Sequence, residues 1–280
     1  MSSKTKHLKS LLLLVLAACT LLASRPVFAE EKIRIGGVGS AMGSMKILGE
    51  AFEKLHPDTR VIVLRSLGTG GGIRAVAKGA IDVGVAGRPL TEEERKLELS
   101  VIEFAKTPLV FAVKTGSPIS GLSGDEVIRV IKGDATTWPD GRRARAVLRP
   151  VSDVETGIIR TASPDLGLAI QEAVASGRMI VALTAQEAAD AIEKTPGAFG
   201  ISTLSLIQSE GRPLKIVPFD GISPNVKSIT DGSYPFVMSY SMLTRHDPSR
   251  TVRDFVDFVQ SAPGRRILEE SGNFVEPREK

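Results

Sequence analysis

Chemistry is most concentrated in the stretch from Ser66 to Leu90, SLGTGGGIRAVAKGAIDVGVAGRPL. Gly68, Gly70, Gly71 and Gly72 follow an apolar strand pattern, RVIVLRS, and precede IRAVAKGA, which has the composition of a short helix. Glycine lets backbone approach a ligand closely, and a loop feeding a helix start presents unpaired N–H groups and the positive end of the helix dipole. Thr69 adds a hydroxyl. A second stretch of the same kind, GGVGSAMGS from Gly36 to Ser44, follows the strand pattern KIRI and precedes MKILGEAFEKL. The chemistry available to this pair is capture of an anion by backbone and hydroxyl donors.

The sharper nucleotide readings fail on spacing. A Walker A loop needs Lys and then Ser or Thr after its last glycine, and Gly72 is followed by Ile73 and Arg74. The spacing of Gly37, Gly39 and Gly43 is one residue too long for the dinucleotide fingerprint, and no acidic residue stands where a ribose would need one. An oxyanion fits better than NAD. His7, His56 and His246 are scattered without metal-ligand spacing, and there is no GxSxG elbow, SxxK motif or Cys nucleophile with a paired His. The sequence therefore implies no metal and no cofactor, and it favours a binding protein over an enzyme.

The elements that must position these loops alternate strand and helix, which predicts an α/β protein with parallel sheets flanked by helices. Strands are expected at Ile33–Gly36, Arg60–Arg65, Ile81–Val85, Val101–Ala105, Leu109–Lys114, Ala146–Arg149, Gly197–Ser202, Leu214–Val217 and Phe236–Leu243. Helices are expected between them, among them Ser44–Leu55, Gly72–Lys78, Gly124–Lys132, Glu155–Ala162, Pro164–Ser176 and Thr184–Lys194. Open parallel sheets bind ligands at the carboxyl ends of their strands, and both glycine loops fall there.

The chain opens with Lys4, Lys6 and Lys9, then an almost wholly apolar run from Leu11 to Ala23, the pattern of a secretory signal over residues 1–29. Cleavage after Val27-Phe28-Ala29 would leave Glu30 first; Leu16-Ala17-Ala18-Cys19 resembles a lipobox, so a lipid anchor on Cys19 is the alternative. The apolar run continues past Cys19, where a lipoprotein has a polar tether, and this favours the soluble, periplasmic product. Removing the leader's four cations from the 36 basic residues leaves 32 against 32 acidic ones, so the basic character belongs to the leader and gives no reason to invoke nucleic acid. With one cysteine there is no intramolecular disulfide, and stability outside the cytoplasm must come from core packing.

The ordered succession GVGSAMGSMKILGEAF, GTGGGIRAVAKGAIDVGVAGRPLT, GLSGDEVIRVIKGDATTWPDG, VLRPVSDVETG, GAFGISTLS and DGSYPF resembles the phosphate-binding proteins of ABC importers, across essentially Ile33 to Val275. The resemblance implies the two-lobed type II periplasmic binding protein fold, each lobe a mostly parallel sheet flanked by helices with the ligand in the cleft. On this reading one lobe is residues 30–114 with 216–280, and the other is 115–215. It also implies inorganic phosphate or a related oxyanion as ligand, an ABC permease in the inner membrane as partner, and a monomer. Two alternatives stay open: a periplasmic sensor or scavenger reporting to a membrane receptor, and a hydrolase.

Carried across by position, the resemblance places Ser40, Ala41 and Met42 in the first anion loop, Thr69 and Gly70 in the second, Gly87 and Arg88 after the strand IDVGVA, and Arg149, Ser152, Asp153 and Thr156 on the facing lobe. An arginine fork matches an oxyanion bidentately. Two departures stand out. Ala41 and Met42 replace a hydroxyl residue and an aromatic, so Ser40 or Ser44 must supply the side-chain donor. Gly87 replaces the aspartate that accepts the proton of a monohydrogen phosphate, and SDVET puts Asp153 and Glu155 nearby, either as substitutes for that acceptor or as helix-start residues facing solvent. Arg142, Arg143 and Arg145 read as a solvated turn beside Trp138.

Overall fold

In the computed structural model, which describes residues 30–276, the apolar runs become strands of one mixed sheet. In chain order the elements are β1 (Glu31–Gly37), a 3-10 turn (Gly39–Ala41), α1 (Met42–Leu55), β2 (Thr59–Val63), α2 (Gly68–Ala77), β3 (Val83–Ala86), α3 (Glu92–Arg95) and β4 (Ser100–Lys114). Then come α4 (Gly124–Lys132), β5 (Arg145–Leu148), α5 (Val154–Ala162), α6 (Pro164–Ala175), β6 (Ile180–Val181), α7 (Ala185–Lys194), β7 (Ala198–Thr203) and α8 (Leu204–Ser209). The chain finishes with β8 (Leu214–Val217), α9 (Val226–Thr230), β9 (Val237–Thr244), α10 (Arg250–Gln260) and α11 (Ala262–Glu270). The expected leader, its cleavage point before Glu30 and Cys19 lie outside the described residues or at their edge.

The strand order is β2-β1-β3-β9-β4-β7-β5-β6, with β8 also on β4. Parallel pairing holds for β1 with β3 and for β5 with β6 and β7, whereas β9 and β4 run antiparallel to their neighbours through the middle. The expected strands Val101–Ala105 and Leu109–Lys114 are one element of 15 residues. Lys106-Thr107-Pro108 interrupts the apolar pattern without breaking the strand, because β4 changes partner there. Its first part, to Pro108, pairs with β9, and from Leu109 it pairs with β7 and β8. Proline, which has no N–H to donate, is tolerated where a ladder changes hands.

The glycine stretch differs from expectation in a way that matters. Helix α2 begins at Gly68 rather than Gly72, so the glycines lie within its first turns. A Cβ on Gly72 would stand 2.8 Å from Gly37 Cα and 3.1 Å from the Gly36 carbonyl oxygen. Gly72 therefore serves close packing of α2 on β1, not a ligand. Side-chain caps set the start of several other helices: Ser123 with Glu126 and Thr184 with Glu187 form capping boxes. Apolar faces of the helices cover the sheet, as where Phe52 of α1 meets Phe255 of α10 edge-on at 5.3 Å. Trp138 packs the turn beside it, donating from Nε1 to the Gly197 carbonyl at 2.8 Å, and in the arginine cluster Arg142 pairs with Asp140 while Arg143 is exposed.

Candidate functional site

Where β1 ends, the 3-10 turn buries Ser40 completely. Its Oγ accepts the phenolic hydrogen of Tyr240 at 2.8 Å, and its own hydrogen faces Met238 Sδ at 3.9 Å. Ala41 and Met42 are buried behind it at the start of α1. Of the two serines the sequence leaves open, Ser44 is engaged elsewhere, 3.0 Å from Ser205 Oγ and accepting from Asn273 at 3.1 Å. Thr69 Oγ1 accepts the Gly87 N–H at 3.0 Å, which ties the first turn of α2 to the end of β3 and leaves the threonine hydroxyl hydrogen to donate.

From the end of β5 comes Arg149, 8% exposed. One of its terminal nitrogens donates to the Ala182 carbonyl at 2.8 Å and the other to Asp153 Oδ2 at 2.6 Å. Asp153 is the N-cap of α5, and its Oδ1 accepts the Glu155 N–H at 3.0 Å. Glu155, 2% exposed, brings Oε2 to 3.4 Å from Arg149 Nε, yet neither atom makes a hydrogen bond. Burial pushes the Glu155 carboxyl up to about 7; the negative charge of Asp153 adds to the shift and Arg149 opposes it. Tyr240 is also raised, chiefly by burial, and the charge of Glu155 contributes to that shift. Tyr240 thus bonds Ser40 from one side and lies within electrostatic reach of Glu155 on the other.

Of the residues the sequence nominates, Ser40, Ala41, Met42, Thr69, Gly87, Arg149 and Thr156 are buried, and Asp153 is bound to Arg149. Gly70 is half-buried in α2, its missing Cβ 3.2 Å from Arg74. Arg88 is committed to Glu94, with its two terminal nitrogens 2.7 and 2.9 Å from the carboxylate, and that pairing holds Glu94 down to about 2. Ser152 is exposed on a groove that Arg88, Asp153, Ile158 and Val237 also line. Asp153 takes the helix-start role weighed in the sequence, but its partner Glu155 does not face solvent. Tyr240 and Met238 were not nominated. The alternation in VMSYSML puts Met238, Tyr240 and Met242 on one buried face of β9, and that period of two was the available signal.

Arg149, Asp153 and Glu155 thus come together where β5 leads into α5, around a buried guanidinium whose Nε has no hydrogen-bond partner, in an α/β fold. The family model described as the PBP superfamily domain matches residues 26–263, and the chain belongs to that family. The phosphate-binding protein PstS of Bacillus subtilis is 22% identical, with 91% of this chain and 90% of that protein covered. In solved structures, a putative phosphate ABC transporter substrate-binding protein with bound phosphate from Clostridium perfringens superposes with TM-score 0.73 at 17% identity, covering 88% of this chain and all of that one. The periplasmic molybdate-binding protein of Azotobacter vinelandii gives TM-score 0.61 at 14% identity, with 88% of this chain and 100% of that chain covered. The fold is that of the type II periplasmic binding proteins.

Proposed function

We propose that this chain is an exported solute-binding protein that captures phosphate or a similar tetrahedral oxyanion and delivers it to an ABC importer. The observation that carries the proposal is Arg149, a buried cation after β5 whose Nε has no hydrogen-bond partner and which is bonded to Asp153, the N-cap of α5. A planar fork with a spare donor beside a helix N-terminus suits a tetrahedral anion. Residues 30–114 with 216–280 would form one lobe and 115–215 the other, with Ser40 and Thr69 on the first and Arg149 on the second. The names of the B. subtilis and C. perfringens proteins support phosphate, and the likeness to a molybdate-binding protein keeps other oxyanions in the test. Among the described residues no helix is long and apolar enough to cross a membrane, consistent with delivery to a separate permease.

Titration calorimetry with phosphate, sulfate, molybdate and methylphosphonate decides the matter: one site per chain is expected for at least phosphate, and no heat with any of the four rejects the reading. Export by cleavage before Glu30 is checked by intact mass of protein recovered from the producing cell, and a diacylglyceryl Cys19 would replace it with a lipid-anchored form.

A further inference from the structure

We propose that the ligand is a tetrahedral oxyanion with one organic substituent, the phosphonate class, and that the substituent lies in the groove between residues 87–90 and α5. The inference deepens the oxyanion reading above and rests on it. Leu90, Leu99 and Val101 line the groove from the segment between β3 and β4 and from β4 itself, Ile158 from α5 and Val237 from β9. Its two parts, of about 690 and 560 Å³, share Arg88, Ile158 and Val237 and so form one trough. Cavities of that size bury a drug-sized organic molecule, and a bare tetrahedral anion would fill only a corner of this one.

The trough adjoins the nominated residues from two sides. Its lining includes Gly87, whose N–H is held by Thr69 Oγ1 at 3.0 Å, and Asp153, whose Oδ2 accepts from Arg149 at 2.6 Å. Thr69 and Arg149 therefore stand one hydrogen bond behind its surface. The floor is one face of the β4–β9 ladder. Alternation along β9 buries Met238 and Tyr240 on the opposite face and leaves Val237, Ser239 and Ser241 on the trough side, where Ser241 pairs with Glu103 of β4. Val101, two residues before Glu103 on the same face, is 46% exposed. Apolar side chains grouped in a concave site are costly to hydrate until something apolar covers them. Charge argues the same way. Arg149 already faces the carboxylates of Asp153 and Glu155, and Arg88 that of Glu94. Guanidinium groups so paired have less attraction left for a bare dianion than free ones would. Contact between a hydrocarbon group and Val101, Ile158 and Val237 supplies affinity that charge does not.

Titration calorimetry with inorganic phosphate and with methyl-, propyl- and pentylphosphonate tests the assignment. Affinity is expected to rise about two- to fourfold with each methylene added to the phosphonate. Val101→Ser alters a side chain already half in water, so the fold should survive it, and Ile158→Ser removes the apolar wall on α5. Each variant should flatten the rise. Affinity that stays level or falls from methyl- to pentylphosphonate would overturn the proposal while leaving oxyanion binding intact. So would a rise that persists unchanged in both variants when their circular dichroism is native. Absence of heat with phosphate and with every phosphonate would instead sink the reading on which the proposal rests, and the proposal with it.

Discussion

Met238 stands where a side chain on residue 87 would have to go: a Cβ built on Gly87 lies 2.8 Å from Met238 Sδ and 3.3 Å from Val38 Cγ2. Met238 is fully buried, so it cannot move aside without opening a gap. Restoring a carboxylate with Gly87→Asp should therefore cost about 1–3 kcal/mol from overpacking, with part recovered in Gly87→Asp/Met238→Ala. Urea unfolding of the three proteins measures this. A single variant as stable as the native chain would show that the wall is softer than its packing indicates.

Arg149 holds two carboxylates, those of Asp153 and Glu155. Arg149→Ala should abolish anion binding and, near pH 8, destabilise by about 3–5 kcal/mol, because Glu155 is left as an uncompensated buried charge. The stability loss should shrink at pH 5, where Glu155 is neutral. Exposed Arg143→Ala should change stability by less than about 0.5 kcal/mol and leave binding alone. Similar losses in both variants would place the site elsewhere.

Glu155 also sets a pH dependence of folding without ligand. Its folded value, about 7, lies above the ordinary 4.5, so the native state holds the extra proton between them. The stabilisation is complete below about 4.5 and is lost as pH rises through about 7. Thermal unfolding should show Tm declining from pH 5 to 8 in the native chain and a flatter profile in Glu155→Gln. Parallel profiles would mean that Glu155 stays ionised throughout.

Gln186 of α7 bridges to the first glycine turn, donating from Nε2 to the Gly39 carbonyl at 2.9 Å and to Glu210 at 2.8 Å. Its removal leaves that carbonyl without this donor, a change worth about 1 kcal/mol. If this bridge between α7 and the 3-10 turn persists with ligand bound, Gln186→Ala should weaken ligand affinity by roughly 3- to 10-fold, mostly as faster dissociation. Stopped-flow release rates equal to those of the native chain would reduce Gln186 to a local contact.

Arg88 was nominated by position, and the structure engages both its terminal nitrogens with Glu94. Arg88→Ala is expected to leave phosphate affinity within about twofold while destabilising modestly, since the pair is partly solvent-screened. A tenfold loss of affinity measured by calorimetry would return it to the site.

The order of elements, the caps and the anion chemistry were legible because each is local. Strand–loop–helix alternation, Ser123 and Thr184 with acids three residues on, and hydroxyls and glycines at strand ends are all patterns within a few residues of each other. The glycine stretch drew attention to Thr69 by itself, whereas Ser40 and Arg149 were nominated through the family resemblance. It could not show that Gly68–Gly72 are helical, because what fixes Gly72 is the Gly37 backbone pressed against it from another element. Nor could it choose between Asp153 and Glu155, two residues apart on one helix start. Only the tertiary structure turns Asp153 into a cap with both oxygens occupied and buries Glu155 between Arg149 and the reach of Tyr240, 85 residues away in the chain. Burial and hydrogen-bond satisfaction depend on what the rest of the fold brings to an atom, and these decide which of the two carboxyl groups keeps an oxygen without a hydrogen-bond donor.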